Sequence, residues 1–298
     1  MSADPPTLRA IDANALERAR ARLSALPQPP WLHGEVARRM AARLPLVALN
    51  PRVVVDWWSR QGSGAALLMA QYPNAMVQRV EAPSRVPAIG VGTPRWWQAW
   101  RTREPRAVDA AALPDAGAQL VWANMMLHAV ADPGATIAQW HRVLAADGFL
   151  MFSTLGPDTF KSLRALYRDA AFGVPHAPFV DMHDLGDMLV AAGFTAPVMD
   201  QEMLCLTWPT PSDLLAELRT LGGNADPARH PALRTPRWRA RLEAALAERA
   251  GADGRIGLEF EIIYGHAFKP APRAAVAAET RLSAAELQRM ARRGRAPG

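Results

Sequence analysis

The sequence predicts a doubly wound α/β protein on a mostly parallel sheet, with helices on both faces and a helical cap over the strand ends. Three observations carry this. Short apolar runs alternate with stretches of helical period, the first run opens into a glycine-containing loop and then a helix, and a strand-like run returns after a helical insertion. The chain has 298 residues, 50% of them hydrophobic and 21% charged, enough for one large domain or two small ones. That composition excludes a disordered tail protein and a disulfide-stapled miniature.

Residues 1–50 read as an N-terminal helical cap. Helices at Ala15–Leu26 and Leu32–Leu44 are divided by Pro27, Pro29 and Pro30, and the second repeats Val36, Met40 and Leu44 at helical spacing. Residues 51–155 read as the core. Val53-Val54-Val55 is a continuous apolar run ended by Asp56, followed by Gly62-Ser63-Gly64 and the helical stretch Ala65–Gln71. Ala75–Val80 gives a second strand ending at Glu81, Leu120–Ala123 another, and Phe149–Thr154 one more after the turn Asp147-Gly148, with a helix at Thr136–Leu144 before it. Runs apolar throughout their length suit strands buried on both faces. Residues 156–269 read as a helical substrate cap plus the closing strands. Helices fall at Phe160–Ala171, Asp184–Ala192, Ser212–Leu221 and Trp238–Arg249, and strands at Glu202–Trp208 and Leu258–Phe268. Residues 270–298, rich in Ala, Pro and Arg with a short helical stretch at Ala284–Arg292, read as a mobile tail.

The formal net charge is +6, and of 34 basic residues only Lys161 and Lys269 are lysine. The arginines are spread among acids, which reads as compositional bias; a basic face would also favour an acidic partner. No nucleic-acid-binding module accompanies them, so nucleic acid is not an expected partner. No run approaches the roughly 18 to 20 apolar residues of a membrane span, and the first ten residues lack the apolar centre of a signal peptide. A cytoplasmic protein without membrane attachment is expected. The single cysteine, Cys205, lies in an apolar run and reads as core, and the seven histidines show no metal-ligand spacing, so no metal is expected.

The residues that point to a ligand are Asp56, Gly62, Gly64, Glu81 and Asp109. In a doubly wound sheet the ligand sits beyond the carboxyl ends of the strands, glycines let the first loop come close, and an acid ending the second strand accepts ribose hydroxyls. Glu81 lies 17 residues after Gly64. Asp109, in Val108-Asp109-Ala110, is placed to hold an adenine amino group. An ordinary tight strand-to-helix turn produces the same short pattern.

More specific motifs follow. Phe152-Ser153-Thr154-Leu155-Gly156-Pro157-Asp158-Thr159, Phe179-Val180-Asp181-Met182-His183-Asp184-Leu185-Gly186-Asp187, Ala192-Gly193-Phe194, Pro197-Val198-Met199-Asp200 and Tyr264-Gly265-His266-Ala267 strongly resemble the malonyl-acyl-carrier-protein O-methyltransferase family of biotin synthesis (BioC-type). Asn124-Met125-Met126-Leu127-His128 looks like that family's fourth-strand motif, and His141-Arg142-Val143-Leu144 with Asp147-Gly148 like the helix and turn before its fifth strand. The resemblance covers residues 52–268. It implies a class I methyltransferase, a Rossmann-like sheet with its last strand antiparallel. It also implies S-adenosyl-L-methionine as cofactor, held by Asn124 together with the five residues above. The implied substrate is the free carboxylate of a malonyl thioester on acyl carrier protein or CoA.

Where the family has a compact Asp-x-Gly-x-Gly-x-Gly loop, this chain has Asp56-Trp57-Trp58-Ser59-Arg60-Gln61-Gly62-Ser63-Gly64, two residues longer and with Trp58 at the first glycine. Trp57, Trp58, Trp96, Trp97 and Trp100 either pack on one another over the strand ends or form an aromatic cleft. Methyl transfer to a carboxylate needs no general base, because a group of pKa roughly 4 is ionised at pH 7. It needs alignment, exclusion of water and a cation on the acid group. Under the resemblance, Arg164 is the leading cation because its fork donates two parallel bonds. His183, Tyr264 and His266 are further substrate-binding candidates, while Asp181 or Asp184 caps a helix. The alternative is a methyltransferase scaffold that has lost the cofactor and acts as a binding or assembly factor.

Overall fold

The computed structural model describes residues 10–81 and 108–271. The tryptophans at 96, 97 and 100 and the predicted tail helix at 284–292 lie outside them. Seven strands form one sheet, β1 Val53–Trp57, β2 Met76–Glu81, β3 Val108–Asp109, β4 Ala118–Ala123, β5 Leu144–Leu155, β6 Thr195–Trp208 and β7 Ile256–Phe268, in the order β3-β2-β1-β4-β5-β7-β6. β7 runs antiparallel to both neighbours, and the pairings from β3 through β5 are parallel.

The described helices are α1 Ala13–Ala25, α2 Trp31–Ala41, α3 Ser59–Gly62, α4 Ala65–Gln71, α5 Pro133–Val143, α6 Lys161–Asp169, α7 Met182–Ala191, α8 Pro211–Thr220 and α9 Pro236–Ala247. Their starts are set by local chemistry. Asp12, Asp132, Asp181, Thr210 and Thr235 each accept a backbone N–H of the first turn, satisfying donors that a helix end leaves open. Proline follows the cap in α5, α8 and α9, where its missing N–H costs nothing. None of the described helices is long and apolar enough to cross a membrane.

The sheet separates two large cores. Leu32, Val36, Met40 and Leu44 join Trp122, Phe149 and Phe260 on one side; Trp57, Ile137, Trp140, Phe152 and Leu189 pack together on the other. Both faces are covered, which is why β1 and β4 carry apolar residues at successive positions.

Several expectations are corrected. Cys205 is exposed, not core, because β6 is the sheet's outer strand and alternates its side chains toward solvent. β6 begins at Thr195, seven residues before the predicted run, and its register with β7 shifts between Thr195 and Val198. The Asp147-Gly148 turn lies inside β5: the register with β4 shifts after Leu144 and Asp147 takes φ 61°, the mark of a bulge. Of the five tryptophans, two lie within the described residues: Trp57 meets the Trp140 ring edge to face at 6.2 Å, and Trp57 and Trp58 both line a cavity at the strand ends.

Candidate functional site

The first loop keeps its close approach to the sheet despite its length. Trp58 adopts φ 55° and ψ 47°, the left-handed conformation that glycine takes most easily, and its carbonyl accepts the N–H groups of Gln61 and Gly62 to close the short helix α3. A Cβ on Gly64 would lie 2.4 Å from Trp122 Nε1 and 3.1 Å from Asp56 Oδ1; one on Gly62 would lie 3.4 Å from the Asn124 carbonyl oxygen. The loop therefore lies against β4 at Gly64, where a side chain has no room, and comes to ordinary van der Waals distance of Asn124 at Gly62.

Behind this loop, buried polar groups lock the parts together. Asn124 Nδ2 donates to the carbonyls of His33 (2.8 Å) and Gly62 (2.7 Å), and its Oδ1 accepts from Ser153 Oγ at 2.7 Å. His33 Nδ1 lies 2.9 Å from the Gln61 carbonyl, and burial lowers its pKa to about 4, so the ring is neutral and Nδ1 carries the proton. Asp56 is fully buried; Ser59 Oγ donates to its Oδ2 at 2.6 Å, while Oδ1 has no hydrogen-bond partner. Burial pushes this carboxyl up to about 7, with the Glu81 charge adding to the effect and the Ser59 bond opposing it.

In front of the loop, at the carboxyl ends of the strands, lies a cavity of about 600 Å³. Glu81 and Asp109 line it from the ends of β2 and β3, and Trp57, Val80, Met126 and Val130 supply apolar wall. Glu81 Oε1 accepts the Arg60 N–H at 2.8 Å, and Asp109 Oδ1 accepts that of Ala111 at 2.9 Å. Of the six cofactor candidates, these two reach the cavity; Asp56, Gly62 and Gly64 lie in the loop behind it, and Asn124 braces that loop through the Gly62 carbonyl. Paired carboxylates beside an apolar slot suit a flat ring bearing hydroxyl and amino donors.

A second cavity, of about 680 Å³, lies under α1, α6, α8 and α9. Leu16, Leu23, Leu163, Leu218 and Leu242 give it an apolar wall, and Arg22, His128, His176, Arg219, Arg234 and Arg239 reach it. His128 meets Phe179 edge-on at 6.1 Å, and His176 stacks on Phe179 at 4.8 Å.

The four sequence-predicted substrate residues lie elsewhere. Arg164 Nη1 donates to the carbonyls of Pro157 (2.6 Å) and Thr159 (3.0 Å), holding the turn before α6. His183 is on the surface beside Asp181, whose carboxyl accepts the His183 N–H and is held low by it. The Tyr264 hydroxyl donates to Glu202 at 3.2 Å with the Arg43 guanidinium 3.7 Å from its ring centre, and burial, then Glu202, raises its pKa. His266, on the same strand, is half-buried, and desolvation, then Arg43, lowers its pKa. None of the four lines either cavity. The cations that do were hidden in sequence, because they stand among many equivalent arginines.

A seven-stranded sheet with one antiparallel strand and a cavity at its parallel strand ends defines the class I methyltransferase architecture. Residues 34–196 match the methyltransferase domain family, and the chain superposes on the YcgJ protein of Bacillus subtilis with a TM-score of 0.51 at 14% identity, over 80% of this chain and 99% of that one. It is 41% identical to the malonyl-[acyl-carrier protein] O-methyltransferase of Laribacter hongkongensis over 81% of this chain and 84% of the relative, and 37% identical to that of Gallionella capsiferriformans over 88% and 93%. The chain belongs to the malonyl-[acyl-carrier protein] O-methyltransferase family, and it is an enzyme of the methyltransferase class.

Proposed function

We propose that the chain uses S-adenosyl-L-methionine to methylate the free carboxylate of a malonyl thioester carried on acyl carrier protein, a step of biotin precursor synthesis. The observation that carries this reading is the pair of adjoining cavities, one with carboxylates at strand ends and one apolar and rimmed by cations. The smaller suits adenosine, with Glu81 for ribose hydroxyls and Asp109 for the adenine amino group. Trp58 supports it, since the loop keeps a glycine-like backbone at that position. The larger cavity suits an acyl chain and its thioester arm. Helix α1 from the N-terminal side and α6, α8 and α9 from the later part of the chain supply its lining.

The cofactor supplies a methyl group activated on a positive sulfur. With the cofactor held by Glu81 and Asp109, the transfer would go to a carboxylate that is already ionised, so no side chain of the chain need take up a proton. The chain's task is to align the two groups and keep water out. His128, Phe179 and the apolar side chains of α1 and α6 line the larger cavity, where they limit the water around the reacting carboxylate.

Calorimetric titration with S-adenosylmethionine and S-adenosylhomocysteine tests this directly. Saturable binding is expected, weakened about tenfold in Glu81→Ala as a charge-assisted bond is lost, together with methyl ester formed from malonyl thioesters. No binding at millimolar ligand overturns the reading and favours a scaffold that serves assembly alone.

A further inference from the structure

The two cavities share one lining residue among those described, Arg20 of α1. We infer that Arg20 grips the free carboxylate of the acyl substrate and sets a preference for acidic over uncharged acyl groups, an inference that rests on the assignment of the two cavities above. A carboxylate that receives a group from one cavity while its own chain lies in the other must sit at their junction. Arg20 stands there. Its Nε donates to the Ala129 carbonyl at 3.1 Å, just beyond β4, and its guanidinium lies 5.0 Å from the Trp58 ring centre. These contacts fix the plane of the fork.

The counter-ion of Arg20 is Glu17, three residues earlier on α1. The arginine side chain is 18% exposed and the glutamate 54%. A mostly desolvated cation paired to a surface carboxylate can exchange it for an incoming one, because the displaced glutamate returns to water at little cost. The other cations are spent differently. Arg142 lines only the smaller cavity and donates to Leu113, Ala110 and Asp115. Arg22 gives Nε and Nη2 to the Gly222 carbonyl, and Arg234 donates to Phe172 while lying over Trp238. Arg239 pairs with Glu243, and Arg219 lies on α8, in the larger cavity only.

The charge change of the reaction gives this grip a direction. A guanidinium fork holds an ionised carboxylate by two charge-assisted bonds and holds its neutral methyl ester far less. Arg20 therefore favours substrate over product and over an acyl group lacking the second acid.

The test uses the full-length protein saturated with S-adenosylhomocysteine, titrated calorimetrically with malonyl-CoA and acetyl-CoA. The parent is expected to favour malonyl-CoA by about tenfold or more. Arg20→Met abolishes that ratio under saturating S-adenosylhomocysteine, Arg20→Lys restores part of it, and Glu17→Gln tightens malonyl-CoA a few-fold without touching acetyl-CoA. In turnover, Arg20→Met raises KM for malonyl-CoA more than it lowers kcat. An Arg20→Met protein that keeps the parent's ratio overturns the inference. Should that variant fail to fold, unchanged malonyl-CoA affinity in Glu17→Gln overturns it instead. The ratio is read without turnover, so a parent that binds malonyl-CoA selectively but forms no ester overturns the proposed function, not the role of Arg20.

Discussion

At the scale of single residues, Trp58 shows two opposed terms in one side chain. Its left-handed backbone costs about 1 to 2 kcal/mol relative to glycine, yet the indole is only 6% exposed and lies under Arg20, and removing a buried tryptophan costs about 3 to 5 kcal/mol. Burial wins. Trp58→Gly is therefore expected to lower stability by about 2 kcal/mol in urea titration, while a loop already in a glycine-like conformation keeps its S-adenosylhomocysteine affinity within a few-fold; a more stable variant would contradict the packing described. Asp56 makes a second prediction through its proton. Burial, more than the Glu81 charge, raises its carboxyl from 3.8 to about 7, so between those values the folded state holds a proton that the unfolded chain has released. Stability from this group is thus greatest below about pH 4, falls as pH rises toward 7 and levels off above. Asp56→Asn removes the titration, and the drop in melting temperature between pH 4.5 and 7.5 should be smaller in the variant than in the parent.

At the scale of elements, what could be read from sequence follows from how each element is stabilised. β1 and β4 are buried on both faces and announce themselves as apolar runs, and helix starts are marked by Asp or Thr before proline. β3 has two residues and α3 four, too few for any period to show. The start of β6 is hidden in sequence by Pro197, which reads as a break and is instead accommodated on an outer strand, next to Ala196 at φ 48°. The site divides in the same way. Glu81 is visible as the acid that ends a predicted strand, whereas Asp109 ends a strand of two residues that no pattern shows, and both line the smaller cavity. Arg164 looked like a substrate cation, but the turn Pro157–Thr159 offers two carbonyls that its fork satisfies. Arg18, Arg20 and Arg22 are alike in sequence, and only the docking of α1 against Ala129 and Gly222 makes them different.

At the scale of the whole molecule, the chain joins an excess of positive charge to an apolar chamber. Its formal net charge is +6, and Arg22, Arg219, Arg234 and Arg239 reach the larger cavity from α1, α8, the loop before α9 and α9. A field of that sign acts on a large acidic partner over tens of ångströms in dilute salt, but the screening length shrinks from about 10 Å at 0.1 M to about 3 Å at 1 M. The contact between Arg20 and a bound carboxylate is short and partly desolvated, so salt weakens it much less. These two ranges separate docking from chemistry. With a malonyl thioester on an acidic carrier protein, kcat/KM is expected to fall about tenfold between 0.05 and 0.5 M sodium chloride while kcat at saturation stays nearly constant, because steering acts on encounter. With malonyl-pantetheine, which has only its carboxylate to steer, the fall should stay within about threefold. Equal losses for both substrates would place the salt effect at the carboxylate grip, and no loss for either would mean that the arginines around the cavity shape its wall without drawing in the carrier.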